Sequence, residues 1–214
     1  MSQLRSAERW LYALILIGAP LLGLIGGLLS QDFGNGMSQE LAYISANNQH
    51  WVISNYFTLL MGALMTPAIF ILTALVRNRS ALLGYIGAAL ALLGIYFHGA
   101  VVGYSMVEAP LVQSAIARDQ VLTFVEKAMY DHTAFTMILI PFIGFFLGII
   151  LLAVALWRAR VTPIWVSAVI IAAPLSEVFG PKAVSPELMF SLFTLGLGYV
   201  GIMVFRMTDE NSST

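Results

Sequence analysis

The most regular feature of the chain is the alternation of long apolar stretches with shorter polar connections. Six stretches of at least 18 residues contain no more than one charged residue each; they are residues 10–30, 51–76, 81–106, 133–157, 163–180 and 188–206. About 20 apolar residues in a helix cross the roughly 30 Å of bilayer hydrocarbon, where only a helix or a closed barrel satisfies its own backbone hydrogen bonds. The pattern therefore predicts an all-α, polytopic membrane bundle of about six transmembrane helices.

The fifth stretch, residues 163–180, is the weakest of the predicted spans. It is the shortest, and it carries Pro174, Ser176 and Glu177 close to its end. If the helix ends early here, the segment would be re-entrant: it would enter the membrane and leave it on the same side. Membrane proteins tolerate such non-helical backbone where it is buried in protein. The sequence thus leaves a full span and a re-entrant segment open at this position.

Two connections also contain helical patterns. Ser38 is placed to cap a short helix that ends near Ala46. Residues 111–129 show apolar positions at helical spacing with charges between them, so we expect an amphipathic segment that covers the bundle, lies on the outer membrane surface or extends the fourth span. The predicted organisation is one transmembrane domain, residues 1–207, followed by a short disordered polar tail, residues 208–214.

Charges in the connections predict the orientation of the bundle. Seven of the ten Lys and Arg residues alternate onto one side: Arg5, Arg9, Arg77, Arg79, Arg158, Arg160 and Arg206. The other side has Arg118, Lys127 and Lys182 in longer, more acidic connections. Because Lys and Arg in short loops stay in the cytoplasm, we expect a multi-pass protein of the cell membrane with both termini cytoplasmic.

Composition narrows the classes of function. Charged residues make up 10% of the chain and hydrophobic residues 59%, with a mean hydropathy of +0.88. Soluble domains carry about 25% charged residues, so the lipid bilayer is the expected surroundings of most of this surface. A formal net charge of −1 offers no basic face for nucleic acid. The absence of cysteine excludes disulfides and thiolate chemistry.

Small residues recur along one face of several predicted spans. Gly87, Ala91 and Gly94 do so on the third span, and Gly144 and Gly148 on the fourth. Close helix packing in lipid depends on such residues because they let the backbones approach. We interpret these stripes first as packing faces of the bundle. They would equally suit contact with another membrane protein or with a second copy of the chain.

Four ionisable residues form the candidate site. His50 precedes the second span, His132 opens the fourth, and His98 lies roughly 12 Å below the outer end of the third. Glu177 is in the outer part of the fifth span. A charge at mid-bilayer costs about 2.5–3.5 kcal/mol even on lenient scales, so His98 and Glu177 require partners, water or protonation. Supporting polar residues in the same outer half are Ser54, Asn55, Tyr104, Asp131 and Thr136.

These residue types suit a metal, a haem or a small ligand. A neutral imidazole can ligate zinc, copper or haem iron, or move a proton. A facing carboxylate would fix the imidazole tautomer. We expect an outward-opening pocket between the second and fifth spans, with His98 and Glu177 touching the ligand and His132 and His50 supporting them. No H-x-x-x-H or H-E-x-x-H spacing occurs, so the identity of a metal stays open, as does catalysis.

Two other functions are compatible with the sequence. An accessory membrane subunit without chemistry of its own would use the small-residue faces for assembly. A small-solute transporter is the third hypothesis, although polar groups are scarce in the cytoplasmic half and no inverted repeat is visible.

Overall fold

The computed structural model describes residues 6–30, 37–114, 116–130, 132–180 and 185–207. These residues form helices and no strand; in chain order the helices are α1 (Ser6–Leu29), α2 (Met37–Ala46), α3 (Asn48–Val76), α4 (Ala81–Val112), α5 (Arg118–Tyr130), α6 (His132–Arg158), α7 (Ile164–Phe179) and α8 (Ser185–Arg206). Each predicted span lies on one of the six helices α1, α3, α4, α6, α7 and α8. The shorter α2 and α5 occupy two of the connections.

Four of the described helices are long and apolar enough to cross a membrane, namely α1, α3, α4 and nearly all of α8. Two shorter apolar helices accompany them, Ile164–Phe179 and the Phe142–Arg158 part of α6. The outside of the bundle exposes large apolar side chains such as Leu14 (61%), Phe70 (58%) and Leu82 (72%). Extended apolar surface of this kind requires an apolar environment, which lipid provides.

Glycines set the close approach of α4 and α6. A Cβ atom added at Gly87 would lie 2.9 Å from the carbonyl oxygen of Gly148, and one added at Gly94 would lie 2.6 Å from the backbone nitrogen of Phe145. No side chain fits at either point, because the closest atoms are backbone atoms and the Cβ atom of Phe145, and no side-chain rotation moves any of them. The small-residue stripe of the third predicted span is thereby confirmed as a packing face within the chain. This crossing also brings the following turn of α4, with His98, towards α6.

One end of the bundle is covered by α2 and α5, and we call it the capped end. Leu41 and Ile44 of α2, together with Val121 and Val125 of α5, are buried in a small apolar cluster with Trp51 at the start of α3. The apolar face of α5 therefore packs on the rest of the protein, which is one of the three arrangements that the sequence leaves open. The cluster adds a second, smaller core at this end.

The predicted outer segment, residues 111–129, is divided in the structure. α4 continues to Val112 and α5 begins only at Arg118. Pro110 lies inside α4 without ending it. Two side chains of α3 donate to nearby carbonyl oxygens of α4: Trp51 Nε1 to Ser105 O (3.1 Å) and Asn48 Nδ2 to Ala109 O (3.4 Å). Neighbouring helices commonly stabilise a proline in this way. The 32 residues of α4 span about 48 Å, so the helix exceeds the hydrocarbon thickness.

The opposite end of the bundle carries the basic connections, and we call it the basic end. The Arg9 guanidinium donates to the carbonyl oxygen of Met207, which joins the start of α1 to the end of α8. Arg79, between α3 and α4, donates to the carbonyl oxygen of Ala159, after α6 (3.4 Å). The described chain thus begins and ends at the same end of the bundle.

Candidate functional site

A cavity of about 310 Å³ lies inside the bundle, which is at the small end of the range for ligand pockets. Its wall comes from α1, α3, α4, α6, α7 and α8. The lining residues belong mostly to the halves of these helices nearer the capped end. The sequence predicted walls from α3, α4, α6 and α7; the structure adds α1 and α8.

His98 lines the cavity from α4. It lies four residues after Gly94 and so projects from the same side of the helix as the close contact with α6. Its Nε2 atom is buried and has no hydrogen-bond partner among the described residues. A buried polar group left without a partner costs about 1–3 kcal/mol. A ligand atom that hydrogen-bonds to this nitrogen would remove that cost.

Glu177 lines the cavity from the last turn of α7. The helix ends directly afterwards, where Gly180 N donates to Ser176 O (2.8 Å). Pro174, one turn earlier, is buried inside the helix. The structure therefore brings together, in one cavity, the two residues that the sequence placed in direct contact with a ligand.

Most of the remaining wall is apolar and aromatic. Five phenylalanines line it: Phe97, Phe142, Phe145, Phe146 and Phe190. The ring centroids of Phe142 and Phe146 are 4.1 Å apart, and those of Phe145 and Phe146 are 5.9 Å apart. Phe190 lies against α1, where a Cβ at Gly23 would come within 2.9 Å of its Cζ. Phe142, Phe145 and Phe146 thus contact one another, and Phe190 packs against α1 where Gly23 leaves room for its ring.

Two hydroxyl groups also line the cavity. Ser30 Oγ donates to Gly27 O (2.9 Å), and Thr58 Oγ1 donates to Ser54 O (3.0 Å). Because each hydroxyl has a single proton, both retain only their acceptor lone pairs for a ligand. The described lining residues include no Lys or Arg, and Glu177 is the single acidic residue among them. The cavity wall is therefore mainly apolar, with a few convergent polar groups.

Several predicted site residues lie elsewhere. His50 is exposed at the start of α3 and does not line the cavity. Ser54 and Asn55 are buried but serve the helices: Ser54 Oγ donates to Gly26 O (2.8 Å) and Asn55 Nδ2 donates to Trp51 O (2.9 Å). Both residues bond to backbone carbonyls and are absent from the described cavity lining, so their supporting role stays a prediction.

Three predicted residues fall outside what the structure describes: Asp131, and the side chains of His132 and Thr136. Their supporting roles stay predictions. Within the described ranges, no three His, Asp or Glu side chains come together in a group that could hold a metal ion. The described geometry therefore offers no support for the predicted zinc or copper site; a haem iron needs only one or two axial ligands, so the predicted haem stays a prediction.

A second polar group, at the capped end, was not singled out from the sequence. Glu108 of α4 is only 2% exposed, and it lies within electrostatic reach of Glu40 on α2 and of Tyr104 one turn earlier. Burial raises the pKa of Glu40 above its usual value. The Tyr104 hydroxyl and Oε2 of Glu108 are buried without hydrogen-bond partners in the described part of the chain. Tyr104 belongs to this acidic cluster and not to the cavity.

One signal in the sequence would have identified Glu108. Gly87, Gly94, Val101 and Glu108 recur every seven residues and therefore lie along one side of α4. Glu108 also borders an acidic connection, where a glutamate is expected to be solvated. That context conceals its position on the same side of α4 as the two glycines.

Comparison with protein-family models, with curated proteins and with solved structures yields no match to this chain. The apolar helices are those of a membrane protein. A more specific assignment depends on the cavity and on the residues that line it.

Proposed function

We propose that this protein binds a small ligand in the cavity near the capped end, with His98 and Glu177 as the principal polar contacts. The observation that carries the proposal is that α4 and α7 deliver these two side chains to the same cavity wall. Ionisable residues inside transmembrane helices are costly and usually functional. A cavity with a few convergent polar groups in an apolar wall is the usual form of a ligand site.

The membrane arrangement is part of this proposal. The protein is a single transmembrane domain of residues 1–207 that crosses the cell membrane six times, with both termini in the cytoplasm. Support comes from the basic end, where Arg9 contacts the end of α8 and Arg79 contacts the segment after α6, because such residues are retained on the cytoplasmic side. The cavity then lies in the outer half of the membrane, and α2 and α5 lie at the outer surface.

The ligand that fits the described residues best is an organic molecule. Zinc sites need three or four protein ligands, and the described part of the cavity supplies two, His98 and Glu177. The same two side chains would instead orient a compact organic ligand among the phenylalanine rings. The proposal for this site is binding alone. If the protein is also an enzyme, the identity of the ligand determines the class of reaction.

The test measures what the protein retains on purification. Val101 also lines the cavity, so Val101→Phe should fill it. Wild type, His98→Ala, Glu177→Gln and Val101→Phe are extracted with native lipids, and bound small molecules are identified by mass spectrometry. Glu126→Gln, an exposed carboxylate on α5, is the matched control. We expect one molecule to be retained by the wild type and the control and lost from Val101→Phe. Identical contents in the wild type and Val101→Phe would contradict the proposal.

Elemental analysis of the same samples separates an organic ligand from a metal. We expect no stoichiometric zinc, copper or iron in the wild type. A stoichiometric metal that disappears in His98→Ala would show that His98 is a metal ligand, completed by residues beyond those described.

An accessory membrane subunit is the second candidate function, and one observation favours it. Gly99 and Gly103, a small-xxx-small pair on α4, have open space beside them in the described structure, whereas Gly87, Gly94 and Gly148 are used within the bundle. Such a pair allows another helix to approach closely. Because the chain has no cysteine, disulfide cross-linking of Gly103→Cys in native membranes tests contact with a second copy. A cross-linked dimer would favour assembly through this face.

A further inference from the structure

We propose that the basic end of the bundle binds the headgroup of an anionic phospholipid. The site comprises two connections, one between α3 and α4 and one between α6 and α7. They contain four residues that we call the arginine patch: Arg77, Arg79, Arg158 and Arg160. The patch lies away from the cavity, at the other end of the bundle, and the proposal does not depend on what the cavity binds.

The fold brings the two connections into contact. Arg79 Nη1 donates to the carbonyl oxygen of Ala159 (3.4 Å), and Ala159 lies between Arg158 and Arg160 in the chain. The guanidinium group of one connection therefore lies against the backbone that carries the two arginines of the other. Retention of arginines in the cytoplasm explains why they share one side of the membrane. It does not require that two separate connections form one patch.

Arg160 occupies a backbone position that favours glycine. Its φ angle is 56°, the one positive φ among the described residues other than glycine. At the end of α6, Val161 N donates to Leu156 O (3.0 Å) and Arg160 N donates to Trp157 O (2.9 Å). These two bonds form a Schellman motif, whose left-handed residue is usually glycine because a Cβ atom is unfavourable there. A long basic side chain at a strained position indicates a function for that side chain.

The charge of the arginine patch is not neutralised within the described part of the chain. All four side chains are exposed, and the two connections, RNRS (residues 77–80) and RARVTP (158–163), contain no acidic residue. Among the described residues, the contact of Arg79 with Ala159 O is the one hydrogen bond that the four side chains form, and none has a carboxylate partner. Like charges that lie close together repel one another, and a bound anion removes that repulsion.

Two helix N-termini add to the positive field. One connection leads into α4 and the other into α7. The N-cap residues, Ser80 and Pro163, form no side-chain cap hydrogen bond. The first amide groups of a helix lack partners within the helix, and they carry the positive end of its dipole. Phosphate groups commonly bind at such ends, so the backbone and the arginines favour the same kind of anion.

Exposed tryptophans indicate that the patch lies at the level of the lipid headgroups. Trp157 (48% exposed) directly precedes Arg158, and Trp165 (45% exposed) is in the first turn of α7. Tryptophan side chains are enriched at the interface between membrane and water, where a phospholipid presents its phosphate. This position favours a lipid over free phosphate. In the proposed orientation the patch faces the cytoplasmic leaflet, whose anionic lipids attract basic residues next to transmembrane helices.

The test titrates two lipids against the detergent-purified, full-length protein by native mass spectrometry. Dioleoyl phosphatidylglycerol is anionic, and dioleoyl phosphatidylcholine has the same acyl chains and a zwitterionic headgroup. We expect the wild type to bind the first phosphatidylglycerol molecule about 25-fold tighter, since each of two arginines near the headgroup contributes about a fivefold gain. Inorganic phosphate, titrated in the same way, should bind far more weakly, because it has no acyl chains to contact the bundle.

Double variants assign the preference to the arginine patch. Arg158→Gln/Arg160→Gln should reduce the preference for phosphatidylglycerol to less than about fivefold. Arg158→Lys/Arg160→Lys retains both charges and should retain most of the preference. Melting temperatures confirm that each variant is folded.

The single variant Arg160→Gly separates lipid binding from stability. Glycine relieves the left-handed strain, so the melting temperature should stay the same or rise, while the preference for phosphatidylglycerol should fall about fivefold. The matched control is Lys127→Gln, which removes one exposed positive charge from α5 at the capped end and should leave the preference unchanged.

Three results would overturn the inference. Equal affinities of the wild type for the two lipids would exclude a site for an anionic headgroup. A full preference that persists in Arg158→Gln/Arg160→Gln would place such a site elsewhere on the protein. Inorganic phosphate that binds as tightly as phosphatidylglycerol would assign the patch to a free anion. None of these results bears on the cavity, because its ligand is identified by a separate experiment.

Discussion

Replacing Gly148 by alanine should separate α4 from α6 and destabilise the bundle. A Cβ atom at Gly148 would lie 2.6 Å from the carbonyl oxygen of Gly87 and 2.8 Å from the Cα atom of Ala91. Both atoms belong to the backbone of α4, so no side-chain rotation relieves the overlap. The helices must move apart, and the dispersion contacts along their interface weaken.

The magnitude follows from two opposing terms. Overpacking of a well-packed interface costs about 1–3 kcal/mol. Alanine recovers at most about 1 kcal/mol of helix propensity, and less in a membrane, because helices persist in the lipid-embedded unfolded state. With a propensity gain of roughly 0.5 kcal/mol, we expect a net loss of about 0.5–2.5 kcal/mol. For a chain of 214 residues, each kcal/mol corresponds to about 2–4 °C, so the melting temperature should fall by about 1–10 °C.

The assay is thermal unfolding in one detergent, followed by the fluorescence of the four tryptophans. Gly103→Ala is the matched control, because no atom lies within 4 Å of the added Cβ in the described structure, and its melting temperature should stay the same or rise slightly. A melting temperature for Gly148→Ala at or above that of Gly103→Ala would refute the close approach of α4 and α6. The separation should also displace the ring of Phe145 and weaken binding in the cavity.

Three further predictions concern hydrogen bonding, pH and topology. Ser54→Ala removes the hydrogen bond from α3 to Gly26 O on α1 (2.8 Å), and the folded protein should lose about 0.6–1.7 kcal/mol of stability. Ser45 is exposed on α2, so Ser45→Ala should leave the stability unchanged. Equal melting temperatures for the two variants would contradict a contribution of this bond. Burial raises the pKa of Glu40 above its ordinary value of 4.5, so the folded protein favours the protonated carboxyl. Packing of α2 should therefore be strongest below pH 4.5 and should weaken as the pH rises through the raised pKa. Hydrogen exchange of α2, corrected for intrinsic rates, should show this trend in the wild type and lose it in Glu40→Gln; the same trend in both would refute the assignment. In the cysteine-free chain, an impermeant maleimide added to intact cells should label Ser45→Cys, and should label Asn78→Cys only after permeabilisation; the reverse pattern would invert the proposed orientation.

The sequence by itself determined where the long helices lie. A stretch of apolar residues such as 51–76 must form a helix in lipid, because no solvent is present to satisfy its backbone, and the structure has α3 over Asn48–Val76. The packing faces were also predictable. The recurrence of Gly87 and Gly94 along one side of a helix is a local property that requires no knowledge of the partner helix. The residues of the candidate site, His98 and Glu177, stood out because ionisable groups within apolar spans are rare.

Only the tertiary structure decided which faces meet. Sequence periodicity shows that a side of α4 is small and inward-facing, but it contains no information about the helix that packs there. The contact of Gly94 with Phe145, 51 residues later, is what brings phenylalanine rings beside His98. For the same reason His50 could be grouped with His98 by depth alone, whereas the fold leaves it exposed outside the cavity. Glu108 is the converse case: a connection-like context predicted solvation, and the packing of α2 and α5 over the end of α4 buries it.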